Sequence, residues 1–539
     1  MKNFFKFNKP KDSYEFQIKE PELPIAPKYD KNENISTDLS KNIEIIKDFF
    51  HFPTSNDFKM RNFEIKINGK EYNSIIIFYD GLADSSSINT GIIKPLIKNI
   101  NFESKSILKT ENKENLKNII LGNMLIQSQI SLVENFSKLI DSVNHGECAL
   151  LVESLDVAIV CDVKKIPDRS VDKSQNEMTI KGVSESFVET LRTNTALIRK
   201  YVKDENLIFE TLEVGKKGKT KCAICYISDI TNESIITEVK RRINSVDIDY
   251  LIDSGELEQF IEDKTYTLNP LILSTERPDK VASSLIEGRV AIMVEGSPNV
   301  LIVPAVFSDF THSPEDTYIR HPYALLLRFF RVPAVFLSIF LPGLYIAITT
   351  FHQEMIPTGL LFSIAGTREK VPFPMLVELL IMETAFEIIR EASIRTPAPV
   401  GPTLGIVGTL ILGQAIVSAN IVSPILVIIV ALTGISTFAI ANFSLNYSFR
   451  IARFFYILLG GSFGFFGISL GLFVHLCLLS STTSFGVPYL TPLSPIRKGF
   501  LKDDIFISPL WKQEKRPIFL KPKLMDKEPK ISRKWVKGG

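Results

Sequence analysis

The chain has 539 residues, enough for more than one domain, and its 62 Lys and Arg against 60 Asp and Glu leave a formal charge of +2. That total excludes little, because charge is segregated: the first 330 residues are rich in Lys, Asp, Glu and Asn, the segment from about 332 to 495 is almost wholly apolar, and from Ser494 onward 13 Lys and Arg face 5 Asp and Glu. A basic tail directly after an apolar segment points to the cytoplasmic leaflet rather than to nucleic acid, and five cysteines fit a reducing compartment without structural disulfides.

In chain order, MKNFFKFNKPKDSYEF has no apolar run long enough for a secretory signal, so residues 1–330 are expected in the cytoplasm. Residues 1–40 read as a mobile N-terminal arm. A first α/β subdomain, 41–121, opens with the amphipathic NIEIIKDFFHF. It continues with two alternating runs turning at Asn68-Gly69, a buried strand at Ile75–Tyr79 and a short helix at Ile92–Ile100. A second subdomain, 122–320, is expected to pair Ala149–Glu153 with Val157–Val163. It then holds a helix at Ser184–Val202, a hairpin of Leu207–Val214 and Lys221–Ile227, a helix at Glu233–Asn244 and a closing hairpin over Arg289–Val306. GECALLVESLDVAIVCDV at 146–163 echoes GRVAIMVEGSPNVLIVPAV at 288–306, which places the two hairpins side by side in one sheet.

A helical membrane domain, 321–490, follows. Val332–Gln353 holds 22 uncharged residues, a first span kinked at Pro342-Gly343. Met375–Arg395 is an amphipathic charged helix. The 54 uncharged positions between Arg395 and Arg450 supply span two (about Thr403–Ala419) and span three (about Ile421–Asn442), turning at 420–424; Phe454–Ser480 is span four. The expected fold class is therefore α+β joined to an α-helical membrane part: a cytosolic two-part α/β module followed by about four transmembrane helices and one charged amphipathic helix. Four spans place both termini, including the basic tail of 491–539, in the cytoplasm. They leave Arg450 and Arg453 outside, against the positive-inside tendency, a conflict that a re-entrant segment would remove.

Candidate chemistry is sparse. GKKGKT at 215–220 lacks the first glycine of a phosphate loop and precedes a strand, so it reads as a hairpin turn. Cys222 and Cys225 have zinc-like spacing but no second ligand pair, and in a strand they face opposite sides. No nucleophile–base set, metal cluster or cofactor motif emerges, which argues against an enzyme. The charged helix is the most informative feature. Glu383, Glu387 and Glu391 follow each other at i, i+4 steps, with Arg390 beside them. One reading is a helix lying in the interface with its charges in water; the other is a ring of carboxylates at a cation-selective pore mouth built by several subunits. Gln414, the large polar group in the glycine-rich second span, Asn420 at the turn after it, and His475, an ionisable group inside the fourth, complete the pore or coupling candidates.

FPMLVELLIMETAFEIIREASIR and PVGPTLGIVGTLILGQAIVSANIVSP together resemble the membrane core of the A subunits of GerA-type spore germination receptors. FVETLRTNTALIRKYV at 187–202, EGRVAIMVEGSPNVLIVPAVFSDFTHSPEDTY at 287–318, YDGLAD at 79–84 and PLSPIRKGFLKDDIFISPLW at 492–511 extend the resemblance over roughly Phe49 to Pro517. Thr396 and Gly401-Pro402 depart from the family pattern in one loop. The resemblance implies a multi-pass subunit in the inner membrane of a dormant endospore. It would act with a transporter-like B subunit that binds nutrients and a lipoprotein C subunit, and form a homo-oligomer that opens as a nutrient-gated ion channel. A membrane-anchored signalling scaffold without a pore and a secondary transporter are the rival readings, the latter weakened by the absence of membrane repeats.

Overall fold

In the computed structural model, which describes residues 16–22, 28–67, 70–97, 113–165, 177, 181–395, 413–496 and 507–527, local sequence signals build the soluble part. Asp38 caps helix α1 (Leu39–Phe49) by accepting from Ser40 N, and the helix buries Leu39, Ile45, Ile46 and Phe49 along one face. Strands β1 (Phe58–Ile67) and β2 (Lys70–Tyr79) pair antiparallel from Phe58↔Tyr79 to Ile67↔Lys70, the register that a two-residue connection dictates. The expected turn, Asn68-Gly69, lies outside the described residues, as does the end of the helix expected at Ile92–Ile100.

β3 (Ile130–Val133), helix α2 (Phe136–Asn144), β4 (Cys148–Val152) and β5 (Ala158–Cys161) complete an antiparallel sheet of order β1-β2-β4-β5-β3. Every residue of β4 and β5 is buried because both faces are covered. Phe49, Phe136, Leu139 and Val143 pack on one face, and Ile88, Ile92, Leu96 and Ile120 on the other. The β4–β5 hairpin, expected in the second subdomain, thus belongs to the first sheet, which runs to Cys161 rather than ending near Leu121.

Helix α3 is Leu191–Tyr201, shorter than the expected Ser184–Val202 because 184–190 is not helical. It is followed by β6 (Leu207–Val214), β7 (Thr220–Ile227), helices α4 (Glu233–Asn244) and α5 (Ser254–Ile261), β8 (Leu273–Thr275), helix α6 (Pro278–Ile286), β9 (Val290–Val294) and β10 (Val300–Val303). Their order, β6-β7-β9-β10-β8, is that of the first sheet strand for strand, and every pairing is again antiparallel. The repeated sequence at 146–163 and 288–306 therefore marks a duplicated unit. The two hairpins occupy the same place in separate sheets and do not lie side by side. GKKGKT turns the β6–β7 hairpin, and Cys222 and Cys225 are buried on opposite faces of β7.

One buried cation ties the two units. Arg199 on α3 is 2% exposed; its Nε and Nη2 donate to the Asp57 carboxylate at 2.6 and 3.2 Å, and Nη2 donates to Leu207 O at 2.7 Å. Its guanidinium stacks 3.7 Å from the Tyr79 ring centre. Asp57 and Tyr79 come from the first unit, Arg199 and Leu207 from the second.

The helical part holds α7 (His321–Phe351), α8 (Thr358–Arg368), α9 (Met375–Arg395), a short turn of helix at 413–418, α10 (Pro424–Phe438) and α11 (Phe443–Ser480). Among the described residues, α7 and α11 are long and apolar enough to cross a membrane, and α10 is a shorter apolar helix. Most of span two lies outside the described residues. α7 continues as one helix through Pro333 and Pro342. At Gly343 the helix comes close to α11: a Cβ there would stand 2.7 Å from Tyr456 O.

Two expectations need correction. α11 is not one span from Phe454, because Gly464 (φ 61, ψ −141) breaks it. Tyr456 Oη lies 3.1 Å from His475 Nδ1, although 19 residues of straight helix would part them by about 28 Å. The two arms therefore fold back on each other, with Gly467 and Gly471 against Leu459. The interfacial reading of α9, with its charges in water, also gives way, because the helix packs into the bundle. Its residues Leu379 and Met382 pack with Ile346, Leu426, Val430 and Ile457.

Described segments from both halves of the chain, 16–22 and 507–527, meet on the second unit. Asn232, 1% exposed, donates through Nδ2 to Lys19 O (3.1 Å) and Lys521 O (2.9 Å), while its Oδ1 caps α4 at Ser234 N. Residues 16–22 of the expected mobile arm thus lie on this unit. Phe485, Val487, Tyr489 and Leu520, in and beside the basic tail, are wholly buried there.

Arg199→Met should cost about 3–5 kcal/mol, because Asp57 would stay buried without its cation; Asp57→Asn added to it should recover part of the loss, as read by denaturant titration. On α5, burial, then Glu262 and Asp253, push the Glu258 carboxyl from its usual 4.5 up to about 7. The folded state therefore favours the neutral acid, and the stability this contributes is full below pH 4.5 and lost as pH rises through 7. Glu258→Gln should then stabilise the protein above pH 7 by about 1–3 kcal/mol and leave it unchanged near pH 4 in thermal melts.

Candidate functional site

Glu378, Glu383 and Glu387 of α9 face inward. Glu383 is fully buried, and its Oε2 accepts from Arg453 Nη1 at 2.8 Å; Arg453 Nε donates to Ser338 O on α7 at 2.8 Å. One ion pair thus joins α7, α9 and the first arm of α11. Glu387, one turn along, takes both nitrogens of the Arg450 fork, with Nε to Oε1 at 2.9 Å. The spacing explains the match: i, i+4 acids on α9 meet i, i+3 arginines on α11. Arg450 and Arg453, which seemed misplaced by the positive-inside tendency, are the partners these carboxylates require.

Arg390 sits at the same end of α9, 3.5 Å from Thr437 Oγ1 and over the Phe438 ring. Glu391 is exposed, as are Gln414 on the 413–418 turn and Asn420 in the bend after it, where its φ is 55°. His475 meets Tyr456 between the two arms of α11. Glu383, Glu387 and Arg390 are therefore gathered against α10 and α11, while Gln414, Asn420 and His475 take no part in these ion pairs. No group of three or more His, Cys, Asp or Glu placed to hold a metal occurs among the described residues.

Sequence reasoning passed over Glu378. It is the most enclosed acid of α9 alongside Glu383, with Oε1 accepting from Ser423 N at 2.6 Å and Oε2 3.5 Å from Arg368 Nε. The signal was present: a lone carboxylate flanked by Val377, Leu379 and Leu380 cannot be left unpartnered where it stands.

Such pairs position helices at a cost. Desolvating two ions offsets most of their attraction, yet removing one partner strands the other. Glu383→Gln should therefore destabilise the bundle by about 3–5 kcal/mol, and Glu383→Met with Arg453→Met should restore most of it; melting in detergent reads both.

Comparison with known proteins covers most of the chain. Residues 44–519 match the family model described as Bacillus/Clostridium GerA spore germination protein. "Spore germination protein KA" of Bacillus subtilis (strain 168) is 41% identical over 487 residues, covering 90% of this chain and 87% of the relative. "Spore germination protein GerLA" of Bacillus cereus is 35% identical over 468 residues, covering 87% and 93%. Among solved structures, the N-terminal domain of the A subunit of the Bacillus megaterium spore germinant receptor GerK3 aligns with TM-score 0.39 and 28% identity, covering 52% of this chain and 99% of that one.

Proposed function

The chain belongs to the Bacillus/Clostridium GerA spore germination family, and from that premise we propose that it is the A subunit of a nutrient germinant receptor in the inner membrane of the spore. It acts with a transporter-like B subunit and a lipoprotein C subunit, and several copies assemble into a gated path for ions. Both termini lie in the cytoplasm. The observation that carries the ionic part of this reading is the charged interior of the bundle. Ionisable groups inside an apolar helical assembly are costly and mark ion paths or switches.

In the paired state seen here the carboxylates are neutralised, which corresponds to a closed path. Ligand binding on the partner favours a second arrangement in which Glu387, the more accessible of the two paired acids, leaves Arg450 and meets water. A second reading has its own support. Because Glu383 and Glu387 are held by arginines, the same geometry suits a rigid transmembrane scaffold that passes a signal without a pore.

Ion flux separates the two. Vesicles carrying the assembled receptor should release cations when germinant is added, and Glu387→Gln should change that release at least severalfold while assembly stays normal. Unchanged release in the variant supports the scaffold, and no conductance from a correctly assembled receptor ends the pore reading.

A further inference from the structure

Between α7, α9 and α10 three buried side chains bring oxygens together with fewer hydrogen bonds than they can make. Glu378 of α9, wholly buried, accepts from Ser423 N through Oε1, and among the described residues no hydrogen bond reaches its Oε2. Ser423, 1% exposed at the N-terminus of α10, and Tyr345, 9% exposed on α7, bring their hydroxyls together beside that carboxylate, and neither has a further partner among the described residues. The walls are Ile346, Leu379, Val422 and Leu426. Among the described residues the cation paired with Glu378 is Arg368, the last residue of α8. It presents Nε, not the end of its fork, 3.5 Å from Glu378 Oε2, and its side chain keeps 28% of its surface in contact with the outside.

Buried oxygens of this kind are normally satisfied. One carboxylate and two hydroxyls, with no second acid, suit a monovalent rather than a divalent ion. We propose that Glu378, Tyr345 and Ser423 form a binding site for a monovalent cation, and that Arg368 is the displaceable occupant which the ion exchanges with. The site deepens the ionic reading of the bundle and rests on it. In this arrangement α8 acts as a plug: withdrawal of Arg368 opens a negative site, and the entering ion neutralises Glu378 in its place.

The test needs no flux. Full-length protein in lipid nanodiscs is equilibrated with radioactive sodium or rubidium, and its melting is compared in NaCl, KCl and choline chloride at equal ionic strength. Saturable binding of about one ion per chain is expected, with melting raised by about 2–4 °C in the preferred salt. Arg368→Gln, which removes the competitor, should tighten binding about tenfold; Tyr345→Phe should weaken it, and Glu378→Gln should abolish it. Absence of saturable binding in both the parent and Arg368→Gln overturns the proposal and leaves ordered water as the occupant. So does binding that survives Glu378→Gln. Should Glu378→Gln not fold, Arg368→Gln still decides, since unchanged affinity there overturns the exchange. Binding without conductance would sink the pore and keep the site; conductance without binding would do the reverse.

Discussion

The helical part depends on the contact between Glu383 and Arg453. Both side chains are removed from solvent, and a charge so placed tolerates only a partner of opposite sign in hydrogen-bonding geometry. Arg453 also holds the carbonyl of Ser338, so the pair fixes the rotation of three helices about their own axes. Apolar packing alone would not, since leucine and phenylalanine faces slide over one another with little penalty in lipid. The close approach at Gly343 and the fold at Gly464 then set the distances.

The soluble part solves a different problem in a related way. Two copies of one antiparallel unit have to be held in a fixed relation, and Arg199 does this by taking Asp57 and Tyr79 from one copy and backbone oxygen from the other. In both parts a buried arginine marks a junction between elements distant in sequence. The pair on α9 and α11 differs in having a more accessible neighbour, Glu387–Arg450, one turn away. That gradient of enclosure gives the bundle a firm end and a more yielding one.

Much of this was legible from residues alone. Strand positions followed from alternation, the β6–β7 turn from its glycines and lysines, and family membership from long motifs in order. What failed was long-range pairing. The echo at 146–163 and 288–306 was visible, but periodicity says which face a residue takes and not which sheet it joins. The extent of α3 was overread because an apolar pattern persists where the backbone is no longer helical. Hydropathy joined the two arms of α11, since only the φ of Gly464 tells that the chain reverses. The acids of α9 were read as facing water or a pore mouth and the arginines of α11 as a topological conflict, and neither was read as the other's partner. Their separation of some 70 residues hid that one answers the other.

Asn232 has a consequence for how the molecule is made. Its single amide is satisfied only when Lys19 and Lys521, 502 positions apart, are both in place. A ribosome reaches Lys521 only after α7 to α11 have been synthesised, so Asn232 gains this acceptor after them. That amide is thereby filled only on a chain whose bundle helices have all been made.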